Sequence, residues 1–370
     1  MAMPEVAQVI QVPGLDYDIV VGHRGIVDIP NRIQRVVDAD RAVVVTDDVV
    51  GPLYARSVVE SLNNVGMEAV LISVPPGDSS KSMAQAGRLF DVLAERQHGR
   101  DEPIVAVGGG VVGDLAGFVA ATWHRGVPWI PCPTTLEADI DASIGGKTAV
   151  NHPSGKNLIG AFHQPALVCI DIDCLDTLSG RDYTAALAES VKHAVIHAPD
   201  FFDWHEQNAA LIIQRDPGVV EELVARNCRI KAEVVAADMR ETASQNVGRA
   251  ALNFGHTAGH AVEAYFEYRL RHGEAVALGI VAALDLAVRH AGFPEGDRQR
   301  CERLMAELGM ACRAPERFEP EQVIERLATD KKVRRRHVRF VVPTQMGSVR
   351  WLESPPRADL ARALDRIQPD

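Results

Sequence analysis

The chain has 370 residues, 46% of them apolar, more than a single hydrophobic core usually organises, so two domains are expected. Lysine plus arginine at 39 against aspartate plus glutamate at 50 gives a net charge of -11, which argues against a general nucleic-acid surface and against an anionic-membrane surface. The cysteines (Cys132, Cys169, Cys174, Cys228, Cys301, Cys312) show no Cys-x-x-Cys spacing and mostly lie inside apolar runs, the pattern of reduced, buried thiols.

Met1 to Val12 lacks the basic start and long apolar stretch of a signal peptide, and no run approaches the roughly 18 apolar residues of a membrane span, so a cytoplasmic location is expected. Val9 to Val12 and Tyr17 to Val21 read as strands around a Gly-Leu-Asp turn, and a helical pattern then runs to Val37. Arg41 to Thr46 is a buried strand ending at Asp47, Pro52 to Asn64 is helix, Ala69 to Val74 strand and Ser82 to Arg96 helix. Ile104 to Val107 is another buried strand, leading through Gly108-Gly109-Gly110-Val111-Val112-Gly113-Asp114 into a helical pattern that lasts to Ala121. Strand, glycine turn and helix in that order aim backbone N–H groups and a positive helix end at one point, an anion site. The rival reading is a tight turn only, because the spacing is neither a G-x-G-x-x-G fingerprint nor a P-loop.

Trp129 to Pro133 and Ala166 to Ile172 are the last strands of this half. Between them come Thr134, Thr135, Asp141, Gly145-Gly146-Lys147-Thr148 and Gly155-Lys156-Asn157, a density of small, hydroxyl and cationic groups that core packing does not require. Lys147 and Lys156 beside glycines point to a second phosphate, against the plain alternative of solvated loop lysines. Strands alternating with helices imply a mostly parallel sheet with ligands at the carboxyl ends of its strands, where Asp47, Pro76 to Lys81 and Gly108 to Asp114 fall. Asp47 there is either a ribose hydroxyl acceptor or an ordinary helix cap.

After Asp176 the texture becomes helical: Arg181 to His197, Pro199 to Gln214, Val219 to Ala237, Arg249 to Tyr268, Glu274 to Ala291, Gly296 to Leu308 and Pro320 to Leu327. One strand pair is placed near Val338 to Val342 and Ser348 to Leu352. The expected domains are therefore residues 1–177 and 178–370. The run Lys331-Lys332-Val333-Arg334-Arg335-Arg336-His337 would pass for a nucleic-acid tract, but in an acidic chain it can instead reach into an anionic pocket.

Within the helical half, His256 and His260 stand four residues apart on one helical face, so both imidazoles can point into one cavity. The spacing is that of H-E-x-x-H metalloproteases, but Thr257 occupies the position of their general-base glutamate, which disfavours a protease. His272 opens the next helix and Glu189 lies in an earlier one. A lone histidine is more often structural; three of them with a carboxylate suit Zn²⁺ or a similar ion with one open position.

Taken together, Gly108 to Asp114, Pro133-Thr134-Thr135, Gly145 to Pro153, Gly155-Lys156-Asn157, Ala188-Glu189, Lys231 to Val235, Leu252 to His256 and His272-Gly273-Glu274-Ala275 resemble the 3-dehydroquinate synthases, over the span from about Asp47 to Lys332. The resemblance implies an α/β N-terminal Rossmann-like domain followed by a mainly α-helical metal-binding domain. It implies a homodimer that binds NAD and Zn²⁺ or Co²⁺ and turns the sugar phosphate 3-deoxy-D-arabino-heptulosonate 7-phosphate (DAHP) into 3-dehydroquinate and phosphate, with no net redox change. Carried over by position, NAD would be held by Asp47, by Pro76, Gly77, Asp78, Ser79, Ser80 and Lys81, by Gly110, Val111, Val112, Gly113 and Asp114, by Thr134, Thr135, Lys147 and Lys156, and by Cys174, Leu175, Asp176 and Thr177. The metal ligands would be Glu189, His256 and His272. Asp141, Asn157, Lys192, Lys231, Arg249, Asn253, His260 and Lys331 or Lys332 would face the substrate, and Arg125 would reach its phosphate from the partner subunit.

Three departures bear on substrate identity. Ala243 to Gly248 is longer than the usual Gly-Leu before the arginine, Met239 replaces a usual acid, and Leu136-Glu137-Ala138-Asp139 is more acidic than the usual Leu-Leu-Ala-Gln. Two enzymatic rivals follow: a sister sugar phosphate cyclase of the 2-epi-5-epi-valiolone synthase type, whose substrate lacks the carboxylate, and a glycerol-dehydrogenase-like oxidoreductase, which would export NADH. A third rival is a nucleotide-binding protein that kept the fold and lost the chemistry, which the complete set of ligand side chains disfavours.

Overall fold

A computed structural model of the chain describes residues 8–241, 247–329 and 338–369. It divides into two compact units, Met1–Leu178 with Val224–Ala236, and Ser179–Leu223 with Ala237–Asp370.

In the first unit, β1 (Gln8–Ile10) pairs antiparallel with β2 (Ile19–Gly22), followed by α1 (Gly25–Val36). Next come β3 (Arg41–Asp47), a π turn over Gly51–Ala55, α2 (Arg56–Asn64), β4 (Glu68–Val74), α3 (Met83–Glu95), β5 (Ile104–Gly108), α4 (Gly110–Thr122) and β6 (Trp129–Pro133). Strands pair in the order β4-β3-β5-β6, all parallel. Successive strand residues point to opposite faces, and here both faces are covered. Val44, Val105, Val107 and Ile130 pack with Ile29 and Ile33 of α1 and Val58 and Leu62 of α2. Val43, Val45, Ile104 and Ala106 pack with Leu89 of α3 and Leu115 and Val119 of α4. Continuous apolar strands are what a two-sided parallel sheet requires, and they are why this half reads clearly from sequence.

The hairpin of β7 (Lys147–His152) and β8 (Gly155–Phe162) was not anticipated as strand, because its glycines, lysines and asparagine break the alternation that marks a strand. It is seated on α4 at Gly117, where an added Cβ would lie 2.5 Å from Thr148 Cγ2 and 3.1 Å from the Trp129 ring. The last strand, β9 (Val168–Asp171), pairs parallel with β2.

The second unit begins with α5 (Gly180–His197), whose first turn is capped by Ser179 Oγ accepting from Asp182 N at 3.1 Å. It continues with α6 (Pro199–Ile213) and the start of α7 (Pro217–Ala237), whose residues 224–236 belong to the first unit. Then come α8 (His256–Tyr265), α9 (His272–Ala291), α10 (Glu295–Glu307), α11 (Pro320–Thr329), the antiparallel pair β10 (Arg339–Gln345) and β11 (Ser348–Glu353), and α12 (Arg357–Asp365). The helix expected from Arg249 to Tyr268 is in fact a 3₁₀ stretch, Gly248–Asn253, and then α8, separated by extended Phe254 and left-handed Gly255 (φ +79°). The last helix, α12, lies beyond the final element read from sequence.

Helix α9 is buried from Ala275 to Ala287 and is the core of this unit. Three glycines let it approach its neighbours backbone to backbone. A Cβ at Gly279 would overlap Gly255 O and lie 2.6 Å from Gly259 N, one at Gly259 would lie 2.8 Å from Ala275 O, and one at Gly273 would overlap Ala185 O of α5. Among the described residues no helix is long and apolar enough to cross a membrane.

Gly279→Ala is expected to destabilise the protein by about 1–3 kcal/mol or more, the usual range for overpacking. Gly87→Ala in α3, where a Cβ meets nothing within 4 Å, should instead stabilise by about 0.5–1 kcal/mol. Urea midpoints of the two variants, moving in opposite directions, check this.

Candidate functional site

In the second unit, the glycine contacts bring the N-terminal ends of α8 and α9 against α5. His256, His260 and His272 thereby offer ring nitrogens that all lie within 4.8 Å of one another. Their ring centroids are 5.3 Å apart for His256 with His260 and with His272, and 5.6 Å for His260 with His272. Glu189 of α5, 1% exposed, turns Oε1 toward them, 3.5 Å from His256 Nε2 and 3.7 Å from His272 Nε2. That oxygen is buried and accepts no hydrogen bond among the described residues, while Oε2 pairs with Lys192 Nζ three residues along the same helix. A buried carboxylate oxygen facing imidazoles and otherwise unsatisfied fits a bound cation.

The outer partners agree. His256 Nδ1 lies 3.1 Å from Phe254 O and donates there, which leaves Nε2 as the lone-pair nitrogen directed at Glu189. His272 Nδ1 faces Glu263 Oε2 at 3.6 Å, the carboxylate–histidine arrangement typical of metal ligands. Glu263 was missed in the sequence, yet its signal was present: 256, 260 and 263 share one face of a helix. At the start of α9, burial pushes the Glu274 carboxyl up, but hydrogen bonds from Arg181 (2.7 and 2.8 Å) and from Arg271 N (2.8 Å) hold it below its ordinary value. Arg249 is 1% exposed and donates from Nη1 to Met239 O at 2.8 Å, and Asn253 Nδ2 donates to Glu241 Oε1 at 3.1 Å. Lys331 and Lys332, and Ala243 to Asn246 of the lengthened stretch, lie outside the described residues.

In the first unit, the predicted nucleotide residues gather at the carboxyl ends of the strands. Asp47, at the end of β3, accepts from Val49 N and Val50 N through Oδ1, both at 2.9 Å, so it caps the following turn. Pro76 and Gly77 follow β4 and lead into a 3₁₀ turn of Asp78, Ser79 and Ser80, with Ser80 Oγ donating to Pro75 O at 2.5 Å. Lys81 is buried, its ammonium bonded to Asp114 of α4 and to Asn157 of β8. Burial pushes the Asp114 carboxyl up against the pull of Lys81.

Asn151 ties these loops together, a role sequence reasoning did not give it. Its Nδ2 donates to Asp78 Oδ2 at 2.9 Å, its Oδ1 accepts from Asn157 N at 3.0 Å, and its N donates to Lys81 O at 2.8 Å. Lys156 Nζ stands 3.7 Å from Asp78 Oδ2, and Lys147 is exposed at the start of β7.

Gly110, Val111, Val112, Gly113 and Asp114 open α4; the N–H groups of its first residues lack helical acceptors, and Gly113 N donates to Gly109 O at 3.1 Å. Thr134 closes onto them, N to Gly108 O at 3.1 Å, and its buried Oγ1 has no hydrogen-bond partner among the described residues. An orphaned hydroxyl beside a glycine turn and a helix N-terminus fits a bound dinucleotide. Thr135 Oγ1 accepts from Ala138 N at 3.3 Å and starts the π turn Ala138–Ala142. That turn carries Asp141, which is ion-paired with Lys231 of α7. Cys174, Leu175, Asp176 and Thr177 lie on one 3₁₀ stretch, held by Tyr54 OH at 2.7 Å from Thr177 Oγ1 and 3.2 Å from Cys174 O. Arg125 is exposed in a turn before β6.

A family profile described as 3-dehydroquinate synthase N-terminal matches residues 71–185, and its C-terminal counterpart matches residues 186–333. A 3-dehydroquinate synthase of Symbiobacterium thermophilum is 46% identical over 311 residues, 84% of this chain and 86% of that protein. Another, of Desulforamulus reducens, is 43% identical over 327 residues, 88% and 90% respectively. The chain belongs to the 3-dehydroquinate synthase family. A solved 2-epi-5-epi-valiolone synthase from Streptomyces hygroscopicus, with NAD⁺ and Zn²⁺ bound, is 28% identical, with a TM-score of 0.86 over 97% of this chain and 99% of that one.

Asp139 belongs to the acidic stretch Leu136-Glu137-Ala138-Asp139. It is fully buried, and neither carboxyl oxygen has a hydrogen-bond partner among the described residues. Burial, and then the charge of Asp171, push its carboxyl well above the usual carboxylate range. A carboxyl raised in the folded state disfavours folding only once the unfolded chain has ionised, so the penalty is absent below about pH 4 and grows as pH rises above it. Asp139→Asn is therefore expected to raise the urea midpoint at pH 8 and to change it little at pH 4. An equal shift at both would count against a neutral, buried acid.

Proposed function

We propose that the protein is a cytoplasmic 3-dehydroquinate synthase, a phosphate-eliminating lyase that converts DAHP to 3-dehydroquinate with bound NAD and Zn²⁺ or Co²⁺. The observation that carries the proposal is the buried, unsatisfied Glu189 oxygen facing His256 and His272 in a chain of this family. The six free thiols support a reducing compartment.

When bound, the two groups would supply a reversible hydride carrier and a Lewis acid, so the conversion is redox-neutral. The chain's own residues do the rest. Glu189, His256 and His272 hold the ion, Lys192 balances the second oxygen of Glu189, and His260 is left to face the substrate. The α4 N-terminus and Thr134 hold the pyrophosphate of NAD, with Lys81 keeping the surrounding loops in register. Asp141 with Lys231, and Lys192, Asn157, Arg249 and Asn253, are the groups for substrate hydroxyls and carboxylate. Arg125, exposed and bonded to nothing in its own chain among the described residues, suits a second subunit's substrate phosphate in a homodimer. A second reading is a cyclase acting on a carboxylate-free heptulose phosphate: Arg249, the group proposed for the carboxylate, donates to Met239 O within its own unit.

With catalytic NAD and excess DAHP, phosphate should accumulate far beyond the NAD present while NADH stays below the enzyme concentration. Stoichiometric NADH would mean an oxidoreductase instead. Comparable kcat/KM for DAHP and sedoheptulose 7-phosphate would select the second reading, because a site built to hydrogen-bond a substrate carboxylate discriminates strongly against a substrate lacking it.

His272→Ala should lower the divalent ion retained after gel filtration, with NAD affinity unchanged. Full occupancy in that variant, measured by elemental analysis, would remove His272 from the ligand set.

A further inference from the structure

Between α4 and β6 the chain turns through Trp123, His124 and Arg125, and two successive residues without the freedom of glycine, His124 (φ 49°) and Arg125 (φ 67°), adopt left-handed backbone. L-residues visit that region singly and reluctantly, so something outside the turn must hold it. The holder is the segment between α3 and β5. His98 O accepts from Trp123 Nε1 at 3.0 Å and from His124 Nε2 at 3.1 Å, and Arg100 Nη2 donates to His124 O at 3.2 Å. That segment is itself anchored: buried His98 bonds through Nε2 to Glu102 O at 2.9 Å, and the Glu102 carboxylate accepts from Gly99 N at 3.0 Å and Arg41 Nε at 2.8 Å. Trp123 is fixed in turn by stacking on Phe90, centroids 6.3 Å apart.

Within this fixed turn Arg125 is exposed, and its guanidinium takes no hydrogen bond or ion pair among the described residues. Disfavoured backbone that is held by neighbouring groups fixes where and in which direction the Arg125 side chain leaves the chain. We infer that His98, Arg100, Trp123 and His124 are positioning residues that aim Arg125 at a phosphate dianion. The inference rests on the reading above that Arg125 meets the substrate phosphate, and adds what orients it.

The test uses the full chain, with KM for DAHP, inhibition by inorganic phosphate and NAD affinity as readouts. Arg125→Ala should weaken the first two by about 10–100-fold, the range for a charged hydrogen bond. Arg100→Ala and His124→Gly should each weaken them by about 3–10-fold, with NAD affinity unchanged and Arg100→Lys restoring much of the loss. Added to Arg125→Ala, the Arg100→Ala change should do nothing further, because it acts only through Arg125. If Arg125→Ala alters neither constant, the phosphate reading falls and this inference with it. If Arg125→Ala acts while Arg100→Ala and His124→Gly behave as wild type, or if Arg100→Ala contributes its full factor on top of Arg125→Ala, the positioning role alone is overturned.

Discussion

The helical unit depends on one steric constraint: α9 must touch α8 and α5 with its backbone. Where Gly279 faces Gly255 and Gly259, and where Gly273 faces Ala185, there is no room for any side chain. That approach decides how far apart the imidazoles of His256 and His272 stand from the carboxylate of Glu189, because each of these residues lies within a turn or two of one of the contacts. Long side chains at the crossing would hold the helices at the usual 8–10 Å separation, and the nitrogens would no longer converge. Burying Glu189 and Lys192 together is costly, and a pair of this kind adds little net stability. The cost is offset by the packing of α9, and the gain is a carboxylate oxygen that faces the rings of His256 and His272.

The α/β unit meets a different constraint. Its sheet ends in loops that carry backbone donors and hydroxyls, and loops of that composition have no core to hold them. Here a buried ammonium does so: Lys81 joins the loop after β4 to α4 through Asp114 and to the β7–β8 hairpin through Asn157, and Asn151 closes the circuit with backbone bonds. Such a network is stiff because its members have partners, and among the described residues the hydroxyl of Thr134 stands out against it as a group left without one.

Legibility followed periodicity. The parallel strands and their helices could be read because burial on both faces demands uninterrupted apolar runs, and the two histidines of α8 because four residues bring side chains to one face. What escaped was set by non-local geometry. The β7–β8 hairpin is stabilised by its seat on Gly117, not by its own alternation. The break before α8 is fixed by Gly255, whose left-handed backbone is invisible in a helical apolar pattern. Asn151 and Glu263 are ordinary polar residues in the sequence, and only the fold shows Asn151 joining three segments and Glu263 standing behind a metal-type imidazole. Asp47 carried two readings, and its Oδ1 makes the cap bonds of the plainer one.

The π turn Ala138–Ala142 shows how finely the same chemistry can be divided. Asp139 and Asp141 are two residues apart on one turn, yet among the described residues no donor meets the Asp139 carboxyl while Asp141 meets the ammonium of Lys231. A carboxyl deprived of water and donors is pushed toward its neutral form, whereas a nearby cation favours the ionised one, so two acids on one turn can meet opposite electrostatic environments. At 139, burial and then the charge of Asp171 push the carboxyl toward its neutral form. Asp141, on the same turn, is the acid that meets an ammonium, that of Lys231.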